Sequence, residues 1–268
     1  MALKVLFDSL TSQIPGHLSG PERQAFVGSL IEGQPEELLR HLRETLNGFL
    51  MKMSTNDVSD IDLGGGGASG RVWYRIHGAK QADPGIEPLS LDETDVLLQS
   101  ILTPQQRAYL YTHRNLDFSH AIKAHERLVR LRADMYFDLD RLALNMRFLS
   151  EEIRPFRSLG LHPNVAKALS LQHVKQGLTL VTGITGSGKS STMDTIIDAN
   201  NQSVDGHIVI IGSPIETVHV SKRCMIRHRE VGRDVLTFKE GTIQALRQDP
   251  DIIVIGEMRD PETIMAAL

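Results

Sequence analysis

The segment Gly183-Ile-Thr-Gly-Ser-Gly-Lys-Ser190 spells G-x-x-x-x-G-K-S, and its flanks decide what can be built around it. Ahead of it runs Gly177-Leu-Thr-Leu-Val-Thr182, a short apolar, β-branched stretch that predicts a buried parallel strand. Behind it, Met193, Ile196 and Ile197 recur at helical spacing within Ser191–Asp198. Strand, glycine loop and helix together form the context in which backbone N–H groups and a helix N-terminus cradle phosphates. Glycines at 183, 186 and 188 let the backbone turn tightly and approach an anion. The residues expected to surround the phosphates are Gly183, Ile184, Thr185, Gly186, Ser187, Gly188, Lys189, Ser190 and Ser191. Lys189 is expected to reach the β- and γ-phosphates, and the Ser190 hydroxyl to ligate Mg²⁺. The pattern points to a nucleoside triphosphate.

The rest of the chain is consistent with a globular protein of two domains. It has 268 residues, 41% hydrophobic and 23% charged. The longest apolar runs, Ile208–Ile211 and Ile252–Ile255, are strand-sized and too short to cross a bilayer. The single cysteine, Cys224, excludes an internal disulfide and suits a reducing compartment, so a cytoplasmic location is expected. A net charge of −4 gives no global attraction to nucleic acid or anionic lipid.

The first ~45 residues read as helical. Leu38, Leu39, Leu42 and Leu46 form an apolar stripe there. Ile61–Leu63 and Arg71–His77 read as two strands around a glycine-rich hairpin loop from Gly64 to Gly70. Gln81–Leu91 reads as a linker or long turn. Asp92 is expected to cap a helix running to Leu102, and Pro104 to open another that ends near His113. Leu116–Ile122, Leu128–Phe137 and Leu142–Phe148 alternate as three further strands. These elements make a small α+β domain with an antiparallel sheet. Pro155–Pro163 reads as a connection, after which the pattern becomes α/β and parallel.

A second constellation lies at Leu246-Arg-Gln-Asp-Pro-Asp-Ile-Ile-Val-Ile-Gly-Glu-Met-Arg-Asp260. Glu257 falls just beyond the C-terminal end of Ile252–Ile255, whose four apolar residues read as a fully buried strand, the end at which parallel α/β sheets bind ligands. It is therefore expected to face the nucleotide, holding Mg²⁺ through water or orienting the attacking water. This string resembles the signature of the type II/type IV secretion ATPases, the hexameric motors that include the twitching-motility retraction ATPases. Pro214–His219, Ser221–Cys224 and Arg229–Asp234 are similar to the retraction subgroup. Ser59–Leu63, Arg75–Gly78, Ser100–Thr103 and Leu116–Ser119 resemble the family's N-terminal PAS-like domain.

The helical stretch is expected to form an N-terminal extension over residues 1–48, and the resemblance, which covers roughly residues 50–268, implies a PAS-like α+β domain over 49–155 and a RecA-like P-loop α/β core over 156–268. It also implies ATP and Mg²⁺ held between subunits of a homo-oligomeric, hexameric ring. That ring would be cytoplasmic and peripheral at the inner membrane, would engage a membrane platform protein of a pilus or secretion machine, and would bind no nucleic acid directly. Arg132 and Arg147 fall where the family's N-terminal domain sends arginines to the γ-phosphate across the interface, a task suited to planar guanidinium groups.

Two departures matter. Family members usually carry Glu-Asp immediately before Pro-Ile-Glu, and the glutamate is the supposed base; this chain reads Gly212-Ser213 there. Losing a positioned acid–base group typically lowers a rate about 10²–10⁴-fold. Either Glu216 or Glu257 substitutes, or turnover is slow, or the chain binds without turning over. Restoring Gly212→Glu with Ser213→Asp is expected to accelerate hydrolysis. The family pattern also continues beyond Leu268, so the chain reads as C-terminally truncated. His207, His219 and His228 are expected to be ordinary loop or strand residues rather than stand-ins for the family's histidine segment. The alternatives to a motor are a non-catalytic, ATP-binding partner subunit and, more weakly, a P-loop kinase acting on a small molecule.

Overall fold

The computed structural model describes residues 3–53, 58–124, 127–149, 152–184 and 186–268. The chain divides into two compact units, Met1–Leu149 and Ser150–Leu268, a boundary a few residues before the expected 155/156.

The first unit is a six-stranded antiparallel sheet with helices packed on one face. Its strands are β1 (Val58–Gly64), β2 (Trp73–Ile76), β3 (Ala79–Ala82), β4 (Asn115–Ala124), β5 (Arg127–Asp138) and β6 (Arg141–Phe148), in spatial order β3-β2-β1-β6-β5-β4. Strand β3 was not expected, and it takes in the first two residues, Gln81 and Ala82, of the stretch that read as a linker. Its Ala-Lys-Gln-Ala sequence carries no alternation, and only pairing with β2 makes it a strand. Helices α1 (Leu3–Thr11), α2 (Gly20–Glu32) and α3 (Glu36–Met53) precede the sheet, and α4 (Leu91–Gln99) and α5 (Pro104–His113) interrupt it.

Helix α4 starts earlier than expected because Ser90, not Asp92, caps it. The Ser90 hydroxyl accepts from Glu93 N and the Glu93 carboxylate accepts from Ser90 N, a reciprocal capping box. Asp92 is instead drawn sideways, accepting from Arg141 at 2.6 Å and also from Arg23. Helix α5 keeps its expected limits. Thr103 and Gln106 form a second capping box around Pro104, and Arg114 ends the helix in a left-handed conformation.

The three N-terminal helices are not an appendage. Phe7 and Leu10 of α1, Ile31 of α2, and Leu42, Leu46 and Leu50 of α3 share one core with Ile61, Leu131 and Leu144 of the sheet. An amphipathic helix gains most of its stability from such packing rather than from its own propensity. Leu46→Ala should therefore lower the stability of the whole unit by about 2–5 kcal/mol, read as a fall in the urea midpoint for sheet unfolding. A midpoint within error of wild type would mean that α3 does not belong to this core.

The second unit carries the phosphate loop. Its main elements are α6 (Pro163–Ala168), α7 (Lys189–Ser203), β7 (Gly206–Gly212), β8 (Cys224–Glu230), α8 (Phe238–Ala245), β9 (Ile252–Ile255) and α9 (Pro261–Ala267). The three strands form a parallel sheet in the order β8-β7-β9. Ile208 and Ile210 of β7 pack with Ile197 of α7 on one face, and Val209 and Ile211 pack with Val235 and Ala245 on the other. Cover on both faces explains why β7 is continuously apolar.

Two expectations fail in this unit. Gly177–Thr182 forms no strand, with Leu178 and Leu180 at 52% and 59% exposure. An apolar, β-branched run becomes a strand only when a neighbour's backbone pairs with it, and Gly177–Thr182 pairs with none of the described strands. Strand β9 is a sheet edge and only half-buried, not the fully buried strand that its four apolar residues suggested.

Candidate nucleotide-binding site

The phosphate loop is shaped by its glycines. Gly186 and Gly188 have φ of +79° and +89°, a left-handed conformation that side-chain-bearing residues rarely adopt. A Cβ at Gly183 would lie 2.6 Å from Ser187 Oγ. Ser187 N and Lys189 Nζ both donate to the Ile184 carbonyl, at 3.2 and 3.0 Å, which curls the loop back over the start of α7. Thr185 lies outside the described residues.

Helix α7 begins at Lys189 with Gly188 as N-cap, and no side chain caps it. Its first N–H groups therefore point out of a glycine-lined mouth, and the positive end of the helix dipole adds to them. Lys189 and Ser190 stand half-exposed at this mouth, with Ser191 exposed beside them. An uncapped helix terminus, a primary amine resting on a loop carbonyl and a hydroxyl one residue on are the parts a phosphate chain requires. Among the described residues, no group of three or more His, Cys, Asp or Glu side chains could hold a metal ion.

The acids gather at the carboxyl ends of the parallel strands. Gly256 N donates to Ile211 O at 2.8 Å, which carries the chain past Gly212 and sets Glu257 just beyond the carboxyl end of β9. Glu257 pairs with Arg259 at 2.8 Å. Glu216 is exposed on the connector that joins β7 to β8. Gly212 is buried, and a Cβ there would lie 2.9 Å from Ile215 Cδ1 and 3.2 Å from Pro214 O. Gly212→Glu therefore requires Ile215 to turn aside and the connector to yield, which weakens the expectation that restoring Glu-Asp accelerates hydrolysis.

One acid went unnoticed in the sequence. Glu230 ends β8, lies cross-strand from Gly212, is 6% exposed and accepts from Ile215 N at 3.2 Å. The available signal was an acid closing an alternating strand whose other inward residues are Cys224 and Ile226.

The two candidate arginines lie in the first unit, and the sheet brings them together. Arg132 and Arg147 are direct cross-strand partners on the face away from the helices, and Asp60 is the neighbour of Arg147 on the other side. Arg147, whose side chain is 66% exposed, bonds Asp60 at 2.7 Å, while Arg132 lies 3.4 Å from Asp117. Basic groups thus stand in one row across this open face, each tied to a carboxylate. The phosphate loop and the acids belong to the second unit.

Comparison with known proteins gives these features a setting. The profile of the family described as "Type II/IV secretion system protein" matches residues 113–268, more than half of the chain. An uncharacterized protein of Escherichia coli K12, YggR, is 36% identical over 213 residues, covering 80% of this chain and 61% of that protein. The type IV pilus retraction ATPase PilT of Pseudomonas aeruginosa is 38% identical over 183 residues, covering 68% and 52%. Among solved structures, the pilus retraction motor PilT with bound ADP superposes with a TM-score of 0.71 at 36% identity, covering 81% of this chain and 62% of that one. The ATPase DotB of Legionella pneumophila superposes at 0.72 with 24% identity, a likeness of fold alone. The chain spans between about half and three fifths of the length of these relatives.

Proposed function

The chain belongs to the type II/IV secretion system protein family, and on that footing we propose that it binds Mg²⁺-ATP at Gly183–Ser191 and hydrolyses it as part of a ring-shaped motor of a type IV pilus or secretion machine. The observation that carries this reading is the uncapped, glycine-built N-terminus of α7 with Lys189 as its first residue. Backbone N–H groups of that turn would bind the β-phosphate and Lys189 would bridge to the γ-phosphate. Ser190 would hold the metal, which when bound neutralises charge on the phosphates. Glu257, Glu216 or both would orient the attacking water, since Gly212-Ser213 offers no acid. Residues 156–268 would belong to a RecA-like core and the six-stranded sheet to a PAS-like domain. Arg132 and Arg147 of that sheet would meet the γ-phosphate of a neighbouring protomer, leaving their present carboxylate partners. No described helix is long and apolar enough to cross a membrane. Work would be delivered through contact with a membrane platform protein at the cytoplasmic face.

The second reading, a subunit that binds ATP without turnover within a mixed ring, is favoured by one observation, Gly212-Ser213 in place of the usual Glu-Asp, at a position where a side chain would press on Ile215 and Pro214. Equilibrium binding of a fluorescent ATP analogue and steady-state phosphate release, measured on one preparation of the full chain, separate the two. Binding with release supports the motor, and binding without release supports the silent subunit. Absence of binding rejects both.

A further inference from the structure

The connector between β7 and β8 is fastened to α7 along one helical face. Asp194, Asp198 and Asn201, at i, i+4 and i+7, face it together. Asn201 accepts from Lys222 N at 2.9 Å and donates to Val220 O at 2.8 Å, and Asp198 pairs with Lys222 Nζ at 2.7 Å. Asp194 makes the grip nearest the phosphate loop. Its two oxygens accept from Thr217 Oγ1 at 2.8 Å and from His219 Nε2 at 3.0 Å.

His219 is not an ordinary loop histidine. It is 4% exposed, stacks parallel to His228 at 6.2 Å, and its backbone N donates to His228 Nε2 at 3.0 Å. Because a carboxylate only accepts, the His219 proton sits on Nε2. Nδ1 is then buried without a partner among the described residues, an exception that asks for a reason. Glu216 lies between two anchored neighbours. Ile215 N is held by Glu230, and Thr217 by Asp194.

We infer that Asp194, acting through Thr217 and His219, is a positioning residue that couples the phosphate-bearing end of α7 to the connector presenting Glu216. The inference rests on the nucleotide reading above. Asp194 lies five residues beyond Lys189 on a continuous helix, a rise of about 7.5 Å. A phosphate that draws Lys189 from the Ile184 carbonyl and settles the first turn therefore settles Asp194 with it. A filled loop would therefore tighten the hold that Asp194 already has on the connector carrying Glu216.

The test follows amide hydrogen exchange in residues 215–222 of the full chain, with and without a non-hydrolysable Mg²⁺-ATP analogue. In wild type the analogue should slow exchange there by about tenfold or more. Asp194→Ala should abolish that slowing while ATP affinity stays within about threefold, and phosphate release should fall by about tenfold or more. Asp194→Asn keeps an acceptor for His219 and should restore the coupling. If Asp194→Ala does not fold, Thr217→Val removes the same link beside Glu216 and is held to the same readout. Slowing that persists in a folded variant, or a wild type that binds the analogue with no change in the connector, overturns the coupling and leaves the nucleotide site standing. A wild type that binds no analogue overturns both.

Discussion

Replacing Lys189 by alanine is expected to abolish nucleotide retention. The amine stands at the first position of α7, half-exposed, and donates to the Ile184 carbonyl. Nothing in the core depends on it, so the variant should fold with stability within about 0.5 kcal/mol of wild type, as exposed substitutions usually do. Its effect falls on the bound state. A polyphosphate held by backbone amides and left without its ammonium partner loses about 2–5 kcal/mol, a weakening of roughly 30-fold to several thousand-fold. Titration of a fluorescent ATP analogue measures the ratio. Equal affinity in a folded Lys189→Ala protein would remove the phosphate loop from the account.

Glu257→Gln should give the opposite profile, with binding kept and turnover lost. The amide preserves the shape of the carboxylate and can still accept from Arg259, its partner at 2.8 Å. A pair whose arginine is exposed and whose carboxylate is half-buried contributes about 0–1 kcal/mol to stability, so folding should be unaffected. What the amide cannot do is take a proton or hold the water as an anion does. If Glu257 is the orienting acid, phosphate release falls about 10²–10⁴-fold with ATP affinity unchanged. Turnover equal to wild type would pass the task to Glu216, which the same substitution there would expose.

Much of the fold was legible because its signals are local. Thr103-Pro104 and Gln106 fix the start of α5 within a single turn, and the alternation of β4, β5 and β6 states which residues face the helices. The glycine loop and the onset of α7 were legible for the same reason. What escaped is settled between distant residues. Gly177–Thr182 has a strand's composition and pairs with no described strand. Ala79–Ala82 has no strand signal and is recruited by β2. Ser90 outcompetes Asp92 as a cap because Arg23 and Arg141 hold Asp92 elsewhere.

The candidate site divides along the same line. Lys189, Ser190 and Glu257 belong to strings whose spacing carries their chemistry. Glu230 and Asp194 matter through partners 15 and 25 residues away, Ile215 and His219, and no local pattern announces them. The arginine pair was legible as two exposed strand residues, but only the register of β5 on β6 makes Arg132 and Arg147 neighbours and gives them Asp117 and Asp60 as resting partners.

The account stands or falls on whether the turn leading into α7 grips a triphosphate. Backbone amide resonances of Gly186, Gly188, Lys189 and Ser190, followed by NMR as Mg²⁺-ATP analogue is added, address this directly. Hydrogen bonding of those N–H groups to phosphate oxygens predicts saturable downfield shifts at these four positions, absent in Lys189→Ala. Saturation of binding with those resonances unmoved, or with the shifts centred elsewhere, would contradict the account.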